Sequence, residues 1–119
     1  MGRIFQSFCF AWQGLVYCLK TQPNMRLHGL TAIAVLVLGW YLNFSPLEKG
    51  ILVLTVTMVL AAEMVNTAIE AVIDLISPGF HPLAKVAKDV AAGAVFIAAV
   101  AAAFIGWALF VPKILSFIK

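Results

Sequence analysis

LEKGILVLTVTMVLAAEMVNTAIEAVIDLI, running from Leu47 to about Ile76, is an almost unbroken apolar stretch whose second half is interrupted by Glu63, Asn66, Thr67, Glu70 and Asp74. As a helix of roughly 30 residues it would be about 45 Å long, more than the thickness of a hydrocarbon core of about 30 Å. It therefore reads as a membrane-crossing helix with one protruding end. The interrupting residues are spaced 0, 3, 4, 7 and 11, which at about 100° per residue sets them on one face. If the hydrocarbon begins near Gly50, about 20 residues of rise reach Glu70 and leave Glu63 about 10 Å inside the boundary. A carboxylate inside a bilayer is expensive unless paired, wetted or protonated, and it marks function more often than packing. Held there, Glu63 suits a general base for an alcohol. A plainer role, a neutral glutamic acid bonding helix to helix, stays open.

C-terminal to this stretch, Ser77-Pro78-Gly79-Phe80-His81-Pro82 is a loop, because two prolines and a glycine cannot continue a helix. A further span then runs from about Leu83 to Ile118, crowded with alanine and carrying Gly93 and Gly106; such small residues permit close helix contact. At its start Lys85, Lys88 and Asp89 are spaced 0, 3 and 4, again on one face and near the same membrane boundary. Carboxylates at an interface can hold a divalent cation and a lysine can neutralise phosphate oxygens, so Glu70, Lys88 and Asp89 fit a nucleotide-metal site. Arg3 and Arg26 are placed to reach that layer. Taken singly, Lys85 and Lys88 would equally suit snorkelling to anionic headgroups.

N-terminal to the opening stretch, Asn43 to Lys49 with Pro46 forms a turn. Before it, residues 25–44 make one more span, with Trp40 and Tyr41 where an aromatic belt would lie. Pro23 predicts a turn over Thr21 to Asn24. Across residues 4–21, Phe5, Phe8, Trp12, Leu15, Val16 and Leu19 recur at helical spacing opposite Arg3, Gln6, Gln13 and Lys20, the pattern of an amphipathic helix lying on the membrane.

Composition agrees. Of 119 residues 64% are hydrophobic and 11% charged, with a mean hydropathy of +1.06, against about a quarter charged in soluble domains. A net charge of +3 without any basic run gives no nucleic-acid footprint. Cys9 and Cys18 have no CxxC or metal-ligand spacing and read as reduced and structural. Gln6, Ser7 and Gln13 break any signal-peptide core, so no cleavage is expected. No Walker, kinase Gly-rich or H-E-x-x-H motif occurs. Arg3, Lys20, Arg26, Lys85 and Lys88 outnumber Lys49, Lys113 and Lys119 across the membrane, which favours a cytoplasmic N-terminus. The fold class is an all-α membrane protein, one domain over residues 1–119, with a surface helix (4–21) and three transmembrane helices (25–44, 47–76, 83–118). Three spans are too few to enclose a polar stripe, so a homo-oligomer with sites between chains is expected.

The strings Ala62-Glu63-Met64-Val65-Asn66-Thr67-Ala68-Ile69-Glu70-Ala71-Val72-Ile73-Asp74 and Ala87-Lys88-Asp89-Val90-Ala91-Ala92-Gly93-Ala94-Val95 resemble the prokaryotic diacylglycerol kinase and undecaprenol kinase family. So do Ala11-Trp12-Gln13-Gly14-Leu15 and Asn24-Met25-Arg26-Leu27-His28. The resemblance implies a homotrimeric kinase of the bacterial cytoplasmic membrane that moves the γ-phosphoryl group of ATP, with Mg2+, to a lipid hydroxyl at sites shared between subunits. It implies Glu63 as catalytic base, also against the lipid; Arg3, Asn66, Glu70, Gly79, Phe80, His81, Lys88 and Asp89 around the nucleotide; and Asn24, Met25, Arg26 and His28 beside the lipid. Glu70 would bind metal. Gln22 stands where the family commonly has a second metal-binding glutamate, and Met25 replaces an aromatic. Arg26-Leu27-His28 and His81-Pro82-Leu83-Ala84-Lys85 look more like the undecaprenol branch than the diacylglycerol branch. A small transporter or proton-relay subunit is the alternative that an intramembrane glutamate leaves open, and a purely structural subunit is a third.

Overall fold

A computed structural model describes all residues 1–119 as four α-helices without a strand: α1 (Gly2–Thr21), α2 (Pro23–Tyr41), α3 (Pro46–Ile76) and α4 (Pro82–Ile118). The last three each begin on a proline, whose missing N–H would have no intrahelical acceptor at that position. The turn expected over Thr21 to Asn24 consequently shrinks to Gln22 alone, in extended backbone between α1 and α2. At its other end α2 stops at Tyr41 rather than Phe44. Asn43 there adopts a left-handed φ of 55°, its N–H donates to the Trp40 carbonyl at 3.1 Å and the Phe44 N–H to the Gly39 carbonyl at 3.0 Å. This is a Schellman closure, for which asparagine is the usual substitute for glycine.

α3 starts in a capping box. The Glu48 N–H donates to Ser45 Oγ at 3.2 Å and the Ser45 N–H to Glu48 Oε2 at 2.6 Å, satisfying two amides that the helix start leaves free. The same Glu48 carboxylate reaches Lys113 Nζ at 3.2 Å, tying the beginning of α3 to the end of α4. Beside it Phe44 packs on Phe110 with ring centroids 4.8 Å apart. The distal end of the bundle is thus closed by an ion pair over an aromatic pair.

α3 is the central helix, packed along both α2 and α4, whereas α1 makes only limited contact with α2 and α3. The close approach of α2 to α3 depends on Gly39. A Cβ there would lie 2.8 Å from Leu52 Cδ2 and 3.4 Å from the Phe44 ring, and both side chains are themselves buried. Overpacking of this kind costs about 1–3 kcal/mol. Gly39→Val is therefore expected to lower the thermal unfolding midpoint in detergent; an unchanged midpoint would mean that α2 and α3 can separate freely.

Little else is enclosed. Only 13 of 119 residues are buried, and α4 buries just Ala91 and Val95, leaving Phe96, Phe104 and Trp107 exposed. Apolar surface on this scale needs lipid or protein over it. α3 and α4 are long and apolar enough to cross a membrane, and at 31 and 37 residues they are about 46 and 55 Å long. The chain is a membrane protein. α2, at 19 residues with Asn24, Arg26 and His28 in its first turns, is more polar than either.

Candidate active site

The polar face of α3 divides by depth. Glu63, Asn66 and Thr67 are buried, Glu70 is half-buried and Asp74 is exposed near the helix end. Thr67 spends its hydroxyl on its own helix, donating to the Glu63 carbonyl at 2.9 Å. Asn66 Nδ2 donates to Glu70 Oε1 at 3.2 Å, one turn along. Two buried acceptors stay without a hydrogen bond, Glu63 Oε1 and Asn66 Oδ1. Buried acceptors are nearly always satisfied in folded proteins, so a pair of orphans on one helical face points to something that arrives from outside: a hydroxyl, a cation or water.

Glu63, 2% exposed, faces His28 of α2, whose Nε2 lies 3.3 Å from Oε1. The distance is that of an ion pair, but the two groups are not aligned as a hydrogen bond. Active-site bonds are often long or poorly aligned before substrate binds. His28 also lines a cavity of about 430 Å³ between α2, α3 and α4, walled by Val35, Leu52, Val59, Ala99 and Trp107. An apolar slot lined by a histidine that in turn meets a carboxylate suits a molecule with a hydroxyl at one end and hydrocarbon behind it.

At the end of α3 a second group assembles. Lys88 Nζ of α4 donates to Asp74 Oδ1, a contact between helices, while Lys85 pairs with Asp89 one turn along α4. These four line a cleft of about 460 Å³ with Gly79, Phe80 and His81 of the connecting loop. His81 helps to build it: its Nδ1 accepts the Leu83 N–H at 3.1 Å and so caps α4. That bond fixes the proton of the neutral ring on Nε2, the nitrogen left free to donate. Two lysines, each held by an aspartate, with a helix N-terminus and an aromatic face in one open cleft suit a phosphorylated ligand whose oxygens compete with the aspartates for the ammonium groups.

The remaining expected residues are scattered or already engaged. Arg3 is exposed and forms no ion pair within the chain. Arg26 turns back to donate to the Leu19 and Lys20 carbonyls, both at 3.1 Å, capping the C-terminus of α1. Met25 is the most deeply buried side chain, 1% exposed, and serves as packing. Asn24 is exposed, and Gln22 uses its amide N–H on Thr21 Oγ1 at 3.4 Å, leaving the amide oxygen free. Asp74 was legible as part of the α3 stripe but not as the partner of Lys88; its place eleven residues beyond Glu63 and beside the loop was the available signal.

Comparison with known proteins agrees with this geometry. Residues 9–110 match the family described as prokaryotic diacylglycerol kinase. A Synechocystis protein named diacylglycerol kinase is 42% identical over 115 residues, covering 96% of this chain and 66% of its own length. A Bacillus subtilis protein named undecaprenol kinase is 41% identical over 114 residues, covering 96% of this chain and 93% of its own. The Escherichia coli K12 diacylglycerol kinase is 31% identical over 100 residues, 84% of this chain and 82% of its own. A buried carboxylate in contact with a histidine of an apolar slot, a cleft of paired lysines and aspartates one helix end away, and a match over most of the length lead to one conclusion: the chain belongs to the prokaryotic diacylglycerol kinase family and is a lipid kinase.

Proposed function

We propose that this chain transfers the γ-phosphoryl group of ATP, bound with Mg2+, to the hydroxyl of a membrane lipid, undecaprenol in preference to diacylglycerol. The observation that carries this reading is Glu63: a buried carboxylate with an unsatisfied oxygen, in contact with His28, which lines an apolar cavity, and on the same helix face as Asn66 and Glu70. Its place is the bacterial cytoplasmic membrane, with α2, α3 and α4 crossing, α1 on the surface and the N-terminus cytoplasmic. Three copies would cover the exposed face of α4 and bring Arg3 of one chain towards the nucleotide of another.

In the proposed step the lipid hydroxyl lies against Glu63 Oε1, which takes its proton as the oxygen attacks the γ-phosphorus. The new O–P bond forms as the bond to the β-phosphate oxygen breaks, and ADP leaves. Lys88, steered by Asp74, offsets charge on the transferring oxygens. Asn66, Asp89, Gly79, Phe80 and His81 frame the nucleotide, and Asn24, Arg26 and His28 lie on the lipid side with Met25 beneath them. The donor set fits a hard divalent cation: the Glu70 carboxylate and the free Gln22 amide oxygen would hold it, with the phosphates supplying further oxygens. When bound, such a cation neutralises phosphate charge. Asn66 orients Glu70 through the bond between their side chains.

Undecaprenol is favoured because His28, one of the residues carrying the likeness to that branch, is the one that meets Glu63. Parallel assays of ATP-dependent phosphorylation of undecaprenol and of diacylglycerol, with magnesium and after chelation, test all of this. Magnesium-dependent transfer to undecaprenol above diacylglycerol is expected; the reverse order overturns the lipid assignment, and transfer to neither overturns the activity. Because Gln22 brings no charge, Gln22→Glu should lower the magnesium concentration needed for half-maximal rate. An unchanged requirement would remove Gln22 from the metal site.

A further inference from the structure

A base that takes one proton per turnover must also lose it, and Glu63 has almost no water to lose it to. Its side chain is 3% exposed, and the only side-chain group within ion-pair distance is the His28 imidazole, itself 23% exposed. From this we infer that His28 is the proton acceptor that resets Glu63, a positioning and relay residue standing behind the base rather than only a wall of the lipid site. The inference rests on the proposal that Glu63 is the base.

The step balances. The lipid O–H loses its proton to Glu63 as the O–P bond forms. The resulting carboxylic acid passes that proton to His28 Nε2 across the 3.3 Å contact, which leaves a carboxylate beside an imidazolium. The imidazolium then releases its Nδ1 proton towards solvent, which leaves the Nε2–H tautomer; proton exchange with solvent at this partly exposed ring moves the proton back to Nδ1 and frees Nε2, and both groups return to their starting states. No oxidant or further reactant is needed. The surroundings leave His28 alone in this role. Glu63 is the titratable group that meets it from α3. The α4 residues lining the shared cavity, among them Ala99, Ala102 and Trp107, carry no titratable group. Its neighbour Arg26 is committed to the α1 carbonyls. The imidazole also borders open volume, so a small base could take its place if the ring were removed.

The full-length protein in detergent, supplied with ATP, magnesium and either undecaprenol or diacylglycerol in separate assays, provides the test. His28→Gln keeps a polar group of similar reach but cannot accept the proton. His28→Ala opens the site. Both are expected to lose about 100-fold in kcat, the usual scale for an acid-base group, with KM for ATP unchanged and thermal stability retained in the glutamine variant. Added imidazole should return part of the rate to His28→Ala but none to His28→Gln, whose side chain still fills the site. A near-normal kcat in His28→Gln, a loss confined to KM for the lipid, or no response of His28→Ala to imidazole would each overturn the relay. Glu63→Gln separates the two levels of the argument: it should be inactive with or without imidazole, and if it turns over normally the base assignment fails whatever His28 does.

Discussion

Glu63→Gln is expected to lower kcat by about 10²- to 10⁴-fold, the contribution typical of a positioned general base, while the helices and their assembly persist. Glutamine has nearly the same shape as glutamic acid, so the packing around a residue 2% exposed is kept. Its amide can still meet His28. What disappears is the ability to take the proton of the lipid alcohol. Removing a buried acid that has no hydrogen bond to Oε1 should leave stability unchanged or slightly raised, since a buried charge that is not fully paired is a burden on the fold. Single-turnover phosphorylation together with a denaturation midpoint separates the two effects. A glutamine variant that turns over near the normal rate sinks the role of Glu63 as base. One that is inactive because it has lost its fold would assign Glu63 to structure instead.

The second large effect is expected at Lys88. Lys88→Met keeps the length and apolar stem of the side chain but deletes the charge that sits between α3 and α4. A preorganised donor aimed at developing charge is typically worth about 10² to 10³ in rate, and Lys88→Met should lose that much in kcat/KM for ATP. Stability should hardly move, because both Lys88 and Asp74 are substantially exposed and exposed ion pairs contribute about 0–1 kcal/mol. Asp74→Asn should fall between wild type and Lys88→Met, because it leaves the ammonium in place but no longer aims it. Equal rates in all three proteins would show that the ion pair is only a surface contact between two helices.

Both residues belong to stripes that sequence spacing displays, but the two cases differ in how much of the site could be seen in advance. For Glu63 the stripe and the membrane boundary together indicated burial, and the side chain is buried. Its contact with His28 was not visible, because the two lie on separate helices. For Lys88 the spacing gave only a shared face with Lys85 and Asp89; the i,i+4 pair Lys85–Asp89 forms as that spacing allows, and Lys88 crosses to Asp74 on the other helix. Spacing of 3 or 4 lists neighbours along one helix; it is silent on competition from another. Arg26 shows the same limit, drawn to the free carbonyls that end α1. Glu48 had no role at all in the pattern until Lys113 met it at the far end of the bundle.

By itself the sequence determined that the chain is helical, that it lives in a bilayer and that one face of α3 is polar. These are consequences of local physics: apolar composition, a periodicity of about 3.6 residues, and prolines placed where a first-turn N–H is dispensable. Only the tertiary structure decided that His28 meets Glu63, that Lys88 meets Asp74 and that Gly39 lets α2 lie against Leu52. Each depends on the rotation and axial shift of one helix against the next. With every residue turning the face by about 100°, a displacement of one position changes which side chains confront each other, and that choice is made by packing across the whole bundle.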